Sequence, residues 1–188
     1  MHAHSFLYEL SNKHVYLQLI IRITLEINRI YPDPINNYIK NMRHDLVICE
    51  SIDINATPSK VWEALTKPEI IKKYLFGTET ITDWQPGSEI IFQGEYGGSK
   101  YRDKGVIVRN ISGELLSYTY WSGFSGLEDM PENYSLITYS LKSDEHKKTT
   151  FTWTQKGYAT EERYQHSLTG MKEFLKKIKQ IIEEEPVS

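Results

Sequence analysis

Glu50 is the residue of this 188-residue chain whose setting most invites chemistry. From Leu46 to Ile54 the apolar residues Leu46, Ile48, Ile52 and Ile54 alternate on one face, as in a strand with one buried side. Glu50 falls on that face. A carboxylate turned inward needs a partner or a proton, and it can then act as acid, base or ligand-orienting group. A bulge, or a place at the open end of a sheet where the side chain reaches water, is the alternative and gives it no such role.

The remaining reactive residues point to less. Cys49 lies on the face opposite Glu50 with no basic neighbour to favour a thiolate, so it reads as a small core or surface residue. As the only cysteine it cannot close an internal disulfide, and a reducing cytoplasm suits it. His166 stands alone on a helical stretch and reads as a surface or rim residue. The six histidines include His2, His4 and His14, but no His-x-x-x-His pair or carboxylate cluster marks a metal site, and no cofactor motif is present. Gly94-Glu-Tyr-Gly-Gly98 lacks the Lys-Ser/Thr ending of a phosphate loop and reads as a hairpin. Lys172, Lys176, Lys177 and Lys179 are flanked by acidic residues and form a solvated helix face. With 22 basic and 25 acidic side chains the net charge is −3, so no global field favours nucleic acid or an anionic membrane.

The elements that must position these residues follow from periodicity and turn chemistry. After the strand Leu46 to Ile54, Thr57-Pro58 opens a helix with Val61, Trp62 and Leu65 on its apolar side, and Lys67-Pro68 ends it. A short second helix spans about Glu69 to Tyr74. Gln85-Pro-Gly-Ser88 turns into a strand at Ile90-Ile-Phe92, and Tyr96-Gly-Gly-Ser99 reads as a hairpin. Strands follow at Lys104 to Ile111, Leu115 to Trp121, Tyr134 to Leu141 and Thr149 to Gln155. The alternation in Thr150-Phe-Thr-Trp-Thr154 predicts an antiparallel sheet with one buried face. From Thr160 to about Glu184, Tyr164, Leu168, Met171, Leu175, Ile178 and Ile182 recur at helical spacing. The acidic run Glu183 to Glu185 opposes the helix dipole and predicts fraying there.

Ahead of this pattern, the apolar run Val15 to Leu25 is broken by Gln18 and Arg22, too short for a membrane span and without the flanks of a signal peptide. Strand and helix readings of it are both open. Pro32-Asp-Pro34 breaks any regular element, and the sequence changes character at Met42. Residues 1–41 are either a start called too early or a real docking or pairing segment. They hold four basic and three acidic side chains, which leaves residues 42–188 at −4, and they take five of the 23 aromatic residues but none of the Trp.

The order of elements, with Ile54-Asn-Ala56 running into Pro58-Ser-Lys-Val-Trp-Glu-Ala-Leu-Thr66 and Pro68-Glu69, resembles the activator of heat-shock-protein-90 ATPase homologue family. That family belongs to the START-like, or SRPBCC, superfamily. Trp84-Gln-Pro-Gly87 resembles its turn before the third strand, and Gly105-Val106 with Glu114-Leu115-Leu116-Ser-Tyr118 its central hairpin. The likeness covers about residues 44–182 and rests on the ordered set. Two departures stand out: Ser88 where the family often has a second Gly, and Gly170-Met171 where Gly-Trp is usual.

The resemblance implies an α+β helix-grip fold, in which a curved antiparallel sheet wraps a long C-terminal helix and two short helices follow the first strand. Residues 42–188 would form this domain. It implies a cavity between sheet and helix, for which Glu50, Trp62, Tyr74, Trp84, Phe92, Tyr118, Tyr120, Tyr139, Trp153 and Met171 are the candidate wall residues, or else simple core filling. The expected function is binding of a small hydrophobic or amphipathic molecule or lipid without catalysis. Two further readings follow from the resemblance: a co-chaperone-like stress-response protein contacting a heat-shock-protein-90 homologue, and a cyclase-like enzyme using Glu50 or a cavity Tyr.

Overall fold

Seven strands, most of them alternating apolar and polar residues, build one antiparallel sheet, and a long amphipathic helix packs against its inner face. The structure, a computed structural model, describes residues 42–144 and 148–184. The N-terminal run, with its strand and helix readings and the question of docking, lies outside them. β1 (Arg43–Ile54) leads into helices α1 (Pro58–Thr66) and α2 (Pro68–Tyr74), and then come β2 (Glu79–Ile81), β3 (Glu89–Tyr96), β4 (Ser99–Ile111), β5 (Leu115–Tyr120), β6 (Ser135–Ser143), β7 (Thr149–Tyr158) and α3 (Glu161–Glu184). The sheet order is β1-β7-β6-β5-β4-β3-β2, so β1 pairs with β7 and the other neighbours follow one another in sequence.

Local chemistry explains the boundaries. The Thr57 hydroxyl accepts from the Lys60 amide at 3.3 Å and Pro58 occupies the first turn of α1, which buries Val61, Ala64 and Leu65. The residues Gly97 and Gly98 both have positive φ, at 58° and 79°, and join Tyr96 to its partner Ser99 by the tight two-residue turn that suits the sheet's twist. β7 alternates as its sequence predicts, with Phe151 and Trp153 buried and the threonines between them partly exposed.

Three features depart from the expected pattern. β2 is a three-residue strand, too short to show periodicity. Two 3-10 turns, Gly123–Ser125 and Pro131–Asn133, occupy the connection from β5 to β6. The end of α3 is anchored rather than frayed over the described residues: the Glu183 carboxylate accepts from the Asn55 amide at 2.7 Å and pairs with Lys179 at 2.8 Å. Those local partners outweigh the unfavourable dipole, whose effect is confined to the last turn.

Met171, Leu175, Ile178 and Ile182 form the buried stripe of α3 and meet Ile48 and Ile54 of β1, Phe151 of β7 and Leu116 of β5 in one core. No helix among the described residues is long and apolar enough to cross a membrane, a statement that does not extend to spanning by strands.

Candidate functional site

The core does not fill the space between sheet and helix. A cavity of about 490 Å³ remains, and ten of its sixteen lining residues are aromatic. Strand alternation supplies most of the wall. Phe92 of β3, Tyr101 and Asp103 of β4, Tyr118 and Tyr120 of β5, Ile137 and Tyr139 of β6, and Trp153 and Gln155 of β7 all turn inward, while Phe174 covers them from α3. Leu75, Phe76 and Thr78 come from the segment after α2, and Phe124 from the first 3-10 turn. At the mouth, Phe76 (81 % exposed), Tyr96 (77 %) and Phe124 (50 %) set apolar rings in contact with solvent.

Inside, the rings form a continuous packed series. Phe92 stands 5.8 Å from Tyr118, Tyr118 meets Tyr139 edge-on at 5.7 Å, Tyr139 lies 4.7 Å from Trp153, and Trp153 meets Phe174 edge-on at 5.3 Å. Four tyrosine hydroxyls are paired within this apolar wall, whereas Trp153 Nε1 is buried without a hydrogen-bond partner among the described residues: Tyr118 and Tyr139 share a hydroxyl–hydroxyl bond of 2.7 Å, the Tyr120 hydroxyl donates to Asp103 Oδ2 at 2.5 Å, and Tyr101 bonds Thr78 at 2.6 Å. Burial pushes the phenols of Tyr118 and Tyr139 well above their ordinary range, and Tyr120 is raised by burial and then by the Asp103 charge. All three are therefore protonated donors at neutral pH.

Phe92, Tyr118, Tyr120, Tyr139 and Trp153, expected in the wall, line the cavity. Tyr74 stands behind it, fully buried and edge-on to Phe174 at 6.2 Å. Trp62, on α1, packs partly buried against the core. Trp84 occupies a left-handed turn position (φ 64°) before β3, its carbonyl accepting from the Asn110 side-chain Nδ2 at 2.8 Å. Met171 is a core residue of the α3 stripe, and Phe174, one turn later, reaches the cavity in its stead. Glu50 does share the inner face of β1, half-buried opposite Trp153, but no β1 residue lines the cavity and Glu50 has no hydrogen-bond or ion-pair partner among the described residues. Cys49 and His166 are exposed.

Sequence reasoning missed Tyr101, Asp103, Phe124, Phe174 and the rim rings. Tyr101 and Asp103 precede Lys104, where the strand was expected to begin; carrying the inward alternation of Gly105 and Ile107 back by two steps would have found both. A glycine makes the space: a Cβ at Gly94 would lie 2.8 Å from the Tyr101 hydroxyl.

A family model described as "Activator of Hsp90 ATPase homolog 1-like protein" matches residues 55–183. No curated protein matches the sequence. Among solved structures, that of ChR145 from Cytophaga hutchinsonii is 38% identical, covering 73% of this chain and 94% of that one with a TM-score of 0.64. Protein MLL2253 from Mesorhizobium loti (19% identity, 75% and 99% covered, TM-score 0.61) and the Aha1 dimer from Colwellia psychrerythraea (20%, 73% and 96%, 0.57) share the fold. The helix-grip architecture, the family match over most of the domain and the ChR145 likeness agree: this chain belongs to the activator of Hsp90 ATPase homolog 1-like family.

Proposed function

We propose that the protein binds a small apolar or amphipathic molecule in the cavity between its sheet and α3, without catalysing a reaction on it. The observation that carries this reading is the cavity itself: about 490 Å³ of space bounded mostly by aromatic faces, with the hydroxyls of Tyr101, Tyr118, Tyr120 and Tyr139 positioned by hydrogen bonds. Burial of an apolar body against these rings supplies the affinity, at roughly 25 cal/mol for each Å² removed from water. The exposed rings of Phe76, Tyr96 and Phe124 would guide such a body inward. A single cysteine suits a reducing cytoplasm as the place of action.

The test is native mass spectrometry of the protein purified from its own host, followed by a metabolite and lipid library. A bound species that is retained less by Trp153→Phe supports the reading. Protein that emerges empty and binds no library member overturns it.

Family membership favours a second reading, contact with a heat-shock-protein-90 homologue. Pull-down against the host's chaperone together with its ATPase rate decides that one: absence of both binding and stimulation ends it.

A further inference from the structure

The cavity wall contains a carboxylate that the fold itself leaves half satisfied. Asp103 is 6 % exposed; its Oδ2 accepts from Tyr120, while Oδ1 is buried without a hydrogen-bond partner among the described residues. A buried carboxylate oxygen left unpaired is costly, and such groups are rare in folded proteins. Neutralisation from its own strand is ruled out by alternation. Arg102 and Lys104 point to the other face, where Lys104 pairs with Asp129 at 2.5 Å and Arg102 lies 3.9 Å from Glu89.

The rest of the wall shares this sign. Glu95 is a second lining carboxylate, and no Lys, Arg or His lines the cavity among the described residues. Around Asp103 and Tyr120 stand the ring of Phe92, 5.9 Å from that of Tyr120, and Tyr118 beside it. Aromatic faces about a buried carboxylate attract organic cations by two mechanisms, the ring quadrupole and a charge-assisted hydrogen bond. An anionic head would meet the carboxylates of Asp103 and Glu95 with only neutral donors, such as Gln155 and the unpaired Trp153 Nε1, to offset them, and a neutral one would leave the charge of Asp103 uncompensated.

We propose that the cavity selects ligands with an apolar body and a protonated amine, and that Asp103, held by Tyr120, anchors the amine through Oδ1. The proposal rests on the cavity being a ligand site. Oδ1 is closed to solvent, so the Asp103 side chain would turn towards the amine as it enters and accept from it, which orients the head group and lays the apolar body along Tyr118, Tyr139 and Trp153.

The experiment uses the full chain at neutral pH, neutral Nile red as the cavity reporter, and three competitors of one shape: naphthylethylamine, naphthylethanol and naphthylacetate. The amine is expected to displace the dye at least about ten-fold more tightly than the other two, the scale of a hydrogen bond to a charged group. Asp103→Asn, which keeps an acceptor for Tyr120, should reduce that preference to near unity, read as the ratio of the three competitors' affinities on the same variant; Tyr120→Phe should keep it. Should Asp103→Asn fail to fold, the ranking on the native chain and on Tyr120→Phe decides. Equal displacement by all three competitors, or an amine preference that survives Asp103→Asn, overturns the anchor but not the binding reading. If Nile red and all three competitors fail to bind, the binding reading falls as well.

Discussion

Phe76 combines backbone strain with an exposed ring. Its backbone adopts φ 53°, a left-handed conformation that is rare for a bulky side chain, and its ring is 81 % exposed at the cavity mouth. Lys177 of α3 stands over that ring at 3.5 Å from its centre, so the ring is fixed in place although it buries little area. Replacing it with asparagine, which tolerates this conformation, removes the strain and loses almost no packing. Phe76→Asn is therefore expected to raise stability by about 1 kcal/mol or less, the strain minus the lost cation contact, in urea unfolding. Binding of an apolar dye should weaken in the same variant. A stability loss above about 1 kcal/mol, large for an exposed site, would show that the ring supports the fold rather than the mouth.

Among the elements, the β4–β5 pair sets the site, and Gly105 sets the pair. A Cβ there would lie 1.6 Å from the Thr119 carbonyl oxygen, beside the two backbone hydrogen bonds, 3.0 and 2.8 Å long, that join Lys104 to Trp121. Gly105→Ala must push the strands apart, break those bonds and draw Tyr120 away from Asp103, so a loss of about 3 kcal/mol or more is expected. Gly170→Ala is the contrasting case: it sits on the exposed side of α3 with open space around it, and should gain about 1 kcal/mol from helix propensity. Urea unfolding of both variants checks the pair, and a Gly105→Ala protein as stable as the parent would remove the close strand approach from the account. These two glycines also mark what was legible in the sequence. Turn residues and periods of two and of 3.6 reveal the long strands, α1, α2 and α3 directly. β2 leaves no signal because three residues cannot establish a period, and the 3-10 turns have none of the apolar repeats that mark a core element. In the wall, inward strand aromatics such as Tyr118 and Trp153 were legible by alternation, but Asp103 was not, because the strand was expected to begin at Lys104 and so left Asp103 outside any inward register.

For the molecule as a whole, the cavity makes stability depend on alkaline pH. Burial raises the phenols of Tyr74, Tyr118 and Tyr139, and burial together with the Asp103 charge raises Tyr120. A group whose folded pKa lies above its unfolded value contributes stability that is fully present below the unfolded pKa and is lost as pH rises beyond it. For tyrosine that unfolded value is about 10, so the fold should be insensitive to these groups up to about pH 9. Above it the unfolded chain releases protons that the folded one retains, at about 1.4 kcal/mol per pH unit for each phenol. Four such groups together lower stability by about 5 kcal/mol per unit, comparable to the whole stability of a typical domain. The protein is therefore expected to unfold within about one to two pH units above 10. The buried set should then ionise together with the loss of helix, so that tyrosinate absorbance and circular dichroism follow one late transition. If the buried phenols titrate gradually while the helix signal persists, water and hydroxide reach them in the folded state, and the cavity is wetter than its aromatic wall implies. A tightly held apolar ligand would move the late transition to higher pH, because it binds the folded chain alone and adds its binding free energy to the same balance.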